Sequence, residues 1–156
     1  MRSGVRERQN KMIEEFTFSK ASKKALRTCH ADLKLIMNAA ISMTTVDFGI
    51  SEGHRSIERQ KALFDLGKSK IDGITRKGKH NYDPSEACDI FAYVDGKANY
   101  SDKNMAYLAG MIILISKQLY GSGKITHQIR CGINWGHWEN GVDYNGFIDA
   151  VHYEII

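Results

Sequence analysis

Three ionisable residues in the 156-residue chain have sequence contexts that call for a partner. Asp89 sits in the run Ala87-Cys88-Asp89-Ile90-Phe91, and His80 lies in the loop that runs into it. A carboxylate among such neighbours needs compensation, because burying an unpaired charge is costly or forces neutralisation. A metal ion is one such partner. His152 is the third, with Asp149 three residues before it and Glu154 two after. Period-two alternation puts His152 and Glu154 on one strand face. Asp149 would point the other way in a regular strand, so it is placed in the turn leading in, free to lean over whatever His152 binds. Two imidazoles and a carboxylate from separate elements, with water in the fourth position, are the donor set of a catalytic zinc. A further carboxylate that is not a ligand can take a proton from that water and pass it to a leaving amine. The competing reading pairs Asp89 with a Lys or Arg and makes His152 a core residue. Spacing alone does not separate the two.

The elements that must position these residues follow from periodicity. Leu33, Ile36, Met37, Ala40 and Ile41 form one face of a helix beginning near Asp32. Phe48 and Ile50 alternate with polar neighbours as a short strand. Ser56 caps a second helix carrying Ile57, Ala62, Leu63 and Leu66 and closed by Gly67. The stretch 68–85 is loop. Ala87 to Val94 is a strand with Cys88, Ile90, Ala92 and Val94 on one side and Asp89 and Phe91 on the other. After a turn at Asp95-Gly96, Ser101 or Asp102 caps a third helix with Leu108, Met111, Ile112, Ile115 and Leu119 on one face, ended by Gly121. A strand is expected within 124–138, and a final strand within 147–156. Residues 1–18 are polar and weakly patterned and read as a flexible N-terminal segment, leaving 19–156 as one α+β domain.

Composition bounds the function. At 42% hydrophobic and 26% charged, the chain can bury roughly 68 to 70% of its unfolded surface without disulfides. The three cysteines, Cys29, Cys88 and Cys131, are scattered and odd in number, which argues against a secreted disulfide framework. No run is long enough to span a bilayer and no signal segment opens the chain, so cytoplasmic synthesis and no stable membrane association are expected. The net charge of +4 is uneven: residues 55–79 hold eight Lys/Arg against three Asp/Glu, and residues 80–156 hold five against nine. No dense basic helix or Cys/His finger spacing accompanies the excess, and nucleic-acid binding is not expected.

Five segments in order resemble one family. They are Thr28-Cys29-His30-Ala31-Asp32-Leu33, then Ser51-Glu52-Gly53-His54-Arg55-Ser56 with Arg59-Gln60, then His80 followed by Ala87-Cys88-Asp89, then Trp135-Gly136-His137-Trp138, then Asp149-Ala150-Val151-His152-Tyr153-Glu154. Together they are similar to the zinc D-alanyl-D-alanine carboxypeptidases and L-alanyl-D-glutamate endopeptidases of the VanY-like type, especially the phage endolysin branch. The resemblance implies His80, Asp89 and His152 as zinc ligands and Asp149 as catalytic base. It implies Arg55 as the cation that steadies substrate carboxylate or the developing oxyanion. His54, Trp135, His137 and Trp138 become candidates for substrate contact, and Glu154 for orienting a ligand. The implied fold is the small antiparallel sheet with flanking helices shared with the Hedgehog signalling domain. This chain departs from the family form Ser-x-His-x-x-Gly-x-Ala-x-Asp: Gly78 stands in place of the Ser, and eight residues separate His80 from Asp89.

The implied activity is zinc-dependent hydrolysis of the peptidoglycan stem peptide, at the L-Ala-D-Glu bond, by a monomeric phage or prophage endolysin released through a holin. Alternatives are a D,D-carboxypeptidase and a silent, zinc-stabilised wall-binding module. A silent module has no need of Asp149.

Overall fold

The computed structural model describes residues 15–133, 135 and 148–156. Helices α1 (Lys20–Arg27) and α2 (Ala31–Met43) precede strand β1 (Phe48–Glu52) and helix α3 (Ile57–Asp65). A single 3-10 turn, Lys79–Asn81, then leads to β2 (Ala87–Val94), β3 (Lys97–Asn99), α4 (Asp102–Gly121), β4 (Ile129–Gly132) and β5 (Asp149–Ile155). The sheet has the order β1-β2-β5-β4, with β3 folded back on β2, and every described pairing within it is antiparallel.

Alternation gives the sheet two unlike faces. Phe48, Ile50, Cys88, Ile90, Ala92, Cys131 and Tyr153 are buried in the core with Leu33, Ile36, Met37 and Ala40 of α2 and Leu108, Ile112 and Ile115 of α4. The intervening positions carry Asp89 on β2, His152 and Glu154 on β5 and Arg130 on β4. The three cysteines are buried and free, as small apolar residues would be. Among the described residues no helix is long and apolar enough to cross a membrane.

Several elements depart from the sequence expectation. α1 has no apolar stripe: only Ser22 and Leu26 are buried, and the rest of its eight residues are mostly Lys, Arg and Ala. It is specified by its cap, where Ser19 Oγ accepts from Ser22 N–H, and by a contact outside the helix, where Ser22 Oγ accepts from Ile50 N–H of β1 at 3.0 Å. α3 is capped by Ser56 as expected, but its apolar side chains do not face the core. Ile57 is 42% exposed and Leu66 69%, whereas Gln60 is buried. β3 is three exposed or half-exposed residues with no apolar alternation, formed because Asp95 and Gly96 both take positive φ in a two-residue hairpin turn.

The core also includes aromatic residues from the segment before Ser19. Residues 1–14 lie outside the described residues, but Phe18 is 5% exposed and packs edge-to-face on Phe48 with ring centroids 5.3 Å apart. Phe16 packs beside the same core. Phe18→Ala is therefore expected to cost about 3 kcal/mol in urea unfolding. A loss below about 1 kcal/mol would show this aromatic to be outside the cooperative core.

Candidate metal centre

Each of the three predicted donors is positioned by a different device. Asp89 and His152 are cross-strand partners in the β2–β5 ladder, so their side chains leave the same face side by side. His80 arrives from the 3-10 turn. That turn is fastened by Asn81, whose Oδ1 accepts from Gly78 N–H at 2.9 Å and whose Nδ2 donates to the Arg55 carbonyl at 3.0 Å. Arg55 N–H in turn donates to the His80 carbonyl at 2.8 Å.

The three side chains converge on one point. His80 Nε2 is 3.1 Å from Asp89 Oδ1 and 3.2 Å from His152 Nδ1, and His152 Nδ1 is 3.1 Å from Asp89 Oδ1. Their far atoms settle the tautomers. His80 Nδ1 lies 2.7 Å from the Gly53 carbonyl, which can only accept, so Nδ1 carries a proton. His152 Nε2 lies 2.8 Å from Glu154 Oε2 and donates to it. Each neutral ring then turns a lone pair toward Asp89 Oδ1, itself an acceptor. Three lone pairs at this spacing repel unless a cation sits among them. A tetrahedral ion with bonds of about 2.0 to 2.1 Å spaces its ligands roughly 3.3 Å apart, close to the observed triangle. The donor set fits a metal ion of the zinc class.

The surrounding charges agree. In the protein without metal, burial works against the imidazolium of His152, but hydrogen bonds to Asp89 and Glu154 outweigh it and push the pKa up to about 9. Burial likewise opposes ionisation of Asp89, and its contacts with His152 and His80 hold it well below the usual carboxylate range. Glu154 is ionised beside Arg130, whose Nε and Nη2 reach its Oε1 at 2.8 and 2.6 Å. Glu154 thus bridges the two side chains, accepting from His152 Nε2 at one oxygen and from Arg130 at the other.

Asp149 lies with the donors in the wall of a cavity of about 470 Å³. Pairing jumps from Cys131↔Tyr153 to Gly132↔Asp149, and this irregularity frees Asp149 from strict alternation with His152. Asp149 is consequently the first residue of β5, where a place in the preceding turn was expected. Only glycine fits at the crossing, since a Cβ on Gly132 would stand 2.3 Å from the Asp149 carbonyl oxygen. Burial and the negative charge of Asp89 raise the Asp149 pKa, partly offset by His152, His80 and Arg55.

Arg55 also lines the cavity, with Nη2 between Glu52 (2.5 Å) and Asp89 Oδ2 (3.5 Å) and Nη1 on Gln60 Oε1 (3.0 Å). Trp135 stacks obliquely near His152, ring centroids 5.4 Å apart, under the Arg130 guanidinium. His54 is exposed and is not among the described residues lining the cavity; its backbone N–H donates to Thr28 Oγ1. His137 and Trp138 lie outside the described residues. Sequence reasoning assigned no role to Glu52, Gln60 or Arg130, although Glu52 and Gln60 lie within the quoted motifs. For Gln60 the one signal in the sequence was its place beside Arg59 in the quoted motif.

A second cluster, His30, Asp32 and His127, has similar residue types and a different character. His30 Nδ1 spends its lone pair on Asp32 N–H as the α2 cap, and Asp32 Oδ2 accepts from Thr126 and His127 N–H and His127 Nδ1. It is a clasp between α2 and the segment before β4.

A donor triad open to a cavity, with an unligated carboxylate beside it, is the arrangement of a metal-dependent hydrolase. Residues 14–156 match the family described as phage L-alanyl-D-glutamate peptidase, and the chain belongs to that family. It is 26% identical over 145 residues to the L-alanyl-D-glutamate peptidase of Escherichia phage T5, covering 90% of this chain and 98% of that one. Its fold matches the crystal structure of the Serratia marcescens L-Ala D-Glu endopeptidase ChiX with a TM-score of 0.70, at 23% identity and 94% coverage of each chain.

Two outcomes follow from this geometry. A Cβ on Gly53 would stand 2.3 Å from Thr28 Oγ1 and 2.5 Å from the Ala25 carbonyl oxygen, so Gly53→Ala must displace the carbonyl that aligns His80. It is expected to lower stability by about 1 to 3 kcal/mol in thermal unfolding and to weaken zinc binding. Because His152 holds a proton up to about pH 9 without metal, binding must release it. Zinc affinity measured by competition is expected to rise about tenfold per pH unit between pH 6 and 8; a flat profile would contradict the donor assignment.

Proposed function

We propose that the protein is a zinc-dependent peptidoglycan peptidase that hydrolyses the L-Ala-D-Glu bond of the stem peptide, with His80, Asp89 and His152 as ligands. The observation that carries this reading is the triangle of inward lone pairs, 3.1 to 3.2 Å on each side, in the same cavity as Asp149. Zinc, when bound, supplies Lewis acidity for the scissile carbonyl and lowers the pKa of water toward neutrality.

The chain's own residues do the rest. Asp149 receives the proton of the attacking water and delivers it to the departing amine nitrogen, a task suited to a carboxylate that lines the same cavity as the triad without belonging to it. Arg55 lowers the cost of negative charge growing on the former carbonyl oxygen while holding Asp89 in place. Glu154 and Arg130 keep His152 in the tautomer that faces inward. Trp135 forms an apolar wall against which substrate is positioned, and His137 and Trp138 are further candidates for that wall. The protein acts on the wall as a monomer, as an endolysin passed through a holin.

Asp149→Ala is expected to keep one zinc per chain by elemental analysis while losing at least about a thousandfold in turnover. His152→Ala and Asp89→Ala are expected to lose the metal itself. Digested wall peptides should show, by mass spectrometry, new L-Ala C-termini and D-Glu N-termini. Release of free D-Ala alone would replace this reading with a D,D-carboxypeptidase, and no product from zinc-loaded protein would end the enzyme reading.

A further inference from the structure

The cavity has two unlike walls. The sheet contributes Glu52, Asp89, Asp149 and Glu154 to its lining, and α3 with the segment that follows it contributes cationic residues including Lys68 and Lys70. Most cations of the cavity are already engaged. Arg55 holds Glu52 and Asp89, Arg59 holds Glu52, and Lys79 holds Glu86. Among the described residues, Lys68 and Lys70 have no ion-pair partner.

Their backbone is nevertheless fixed. Gly67 takes a φ of 71° at the end of α3, and Lys68 N–H donates back to the Leu63 carbonyl at 2.8 Å, closing the helix. Ser69 and Ile71 are tied inward by Gln60, whose Nε2 reaches Ser69 Oγ and the Ile71 carbonyl at 2.7 Å each. Lys68 and Lys70, on either side of Ser69, are left exposed at the cavity. The Gln60 amide oxygen accepts from Arg55, which touches Asp89. One chain of hydrogen bonds therefore sets the lysine-bearing segment relative to the donor triad.

The chemistry of the bond supplies the ligand. Cleavage before a glutamyl residue leaves that residue with two carboxyl groups, and the continuing peptide uses only one. The other is an anion within a few bonds of the leaving amine. It cannot face Asp149, Asp89 or Glu154 without repulsion. We propose that Lys68 and Lys70 form the subsite for this free carboxylate, an inference resting on the peptidase reading above. The subsite fixes the direction in which the peptide lies, with its glutamyl side toward the segment 67–71.

The test uses two peptides identical except that this carboxylate is free in one and a carboxamide in the other. With zinc-loaded protein, KM for the acid is expected to be roughly fivefold below that for the amide, with similar kcat, as two partly exposed ion pairs would give. Lys68→Ala/Lys70→Ala should raise KM for the acid to the amide level and leave the amide unchanged. Lys68→Arg/Lys70→Arg should retain the preference, and added salt should shrink it. Equal KM values for the two peptides in the parent, or an equal rise for both in the double alanine variant, would overturn the subsite while leaving the peptidase reading intact. A parent that cuts neither peptide would overturn both.

Discussion

The structure depends on the register of β2 against β5. That register sets Asp89 opposite His152 and, two residues on, Ala87 opposite Glu154. A slip of one residue would turn either Cys88 out of the core and Asp89 into it or, if β5 moved, Tyr153 out and His152 in. The apolar cost of that exchange and the cost of burying unpaired charges act in the same direction. Core packing on one face therefore enforces the placement of Asp89 and His152 on the other, and these two inherit the rigidity of the sheet, while His80 depends on the fastened 3-10 turn.

The polar face is stabilised by completeness rather than by the strength of any one pair. Replacing one partner in a set of buried charges leaves its neighbour uncompensated, which is where the large penalties arise. Here Glu154 is shared by His152 and Arg130, Glu52 by Arg55 and Arg59, and Gln60 joins Arg55 to the segment 69–71. The triangle of His80, Asp89 and His152 is the place in this set that a proton or a metal ion would occupy and leave. Everything around it is held, which is the preorganisation that a hydrolytic site requires.

How much was legible in the sequence follows from which residues declare their environment locally. Asp89 in an apolar run and His152 two residues before Glu154 did so, and the helices with full apolar stripes, α2 and α4, were equally plain. α1 was not, because its burial is carried by a serine hydroxyl that caps a backbone N–H of another element. The face of α3 was misleading because its apolar residues are exposed while an amide lies at the centre of a network. His54 looked like a neighbour of the site because it adjoins Arg55, yet consecutive residues in this irregular segment point to different surroundings.

The sequence by itself determined the α+β class and the strands that carry Asp89 and His152, and it pointed to these two with His80 as candidate donors, because period-two alternation and capping are local and each residue carries its own part of them. It also held the family resemblance, in five short segments. Only the tertiary structure decided that His80 reaches Asp89 and His152, that Asp149 escapes alternation through an irregularity at Gly132, and that Gln60 ties Ser69 and Ile71 to Arg55 beside the same cluster. These are distances between residues far apart in the chain. They are settled by which backbone groups find partners once the elements pack, and no local pattern encodes that choice.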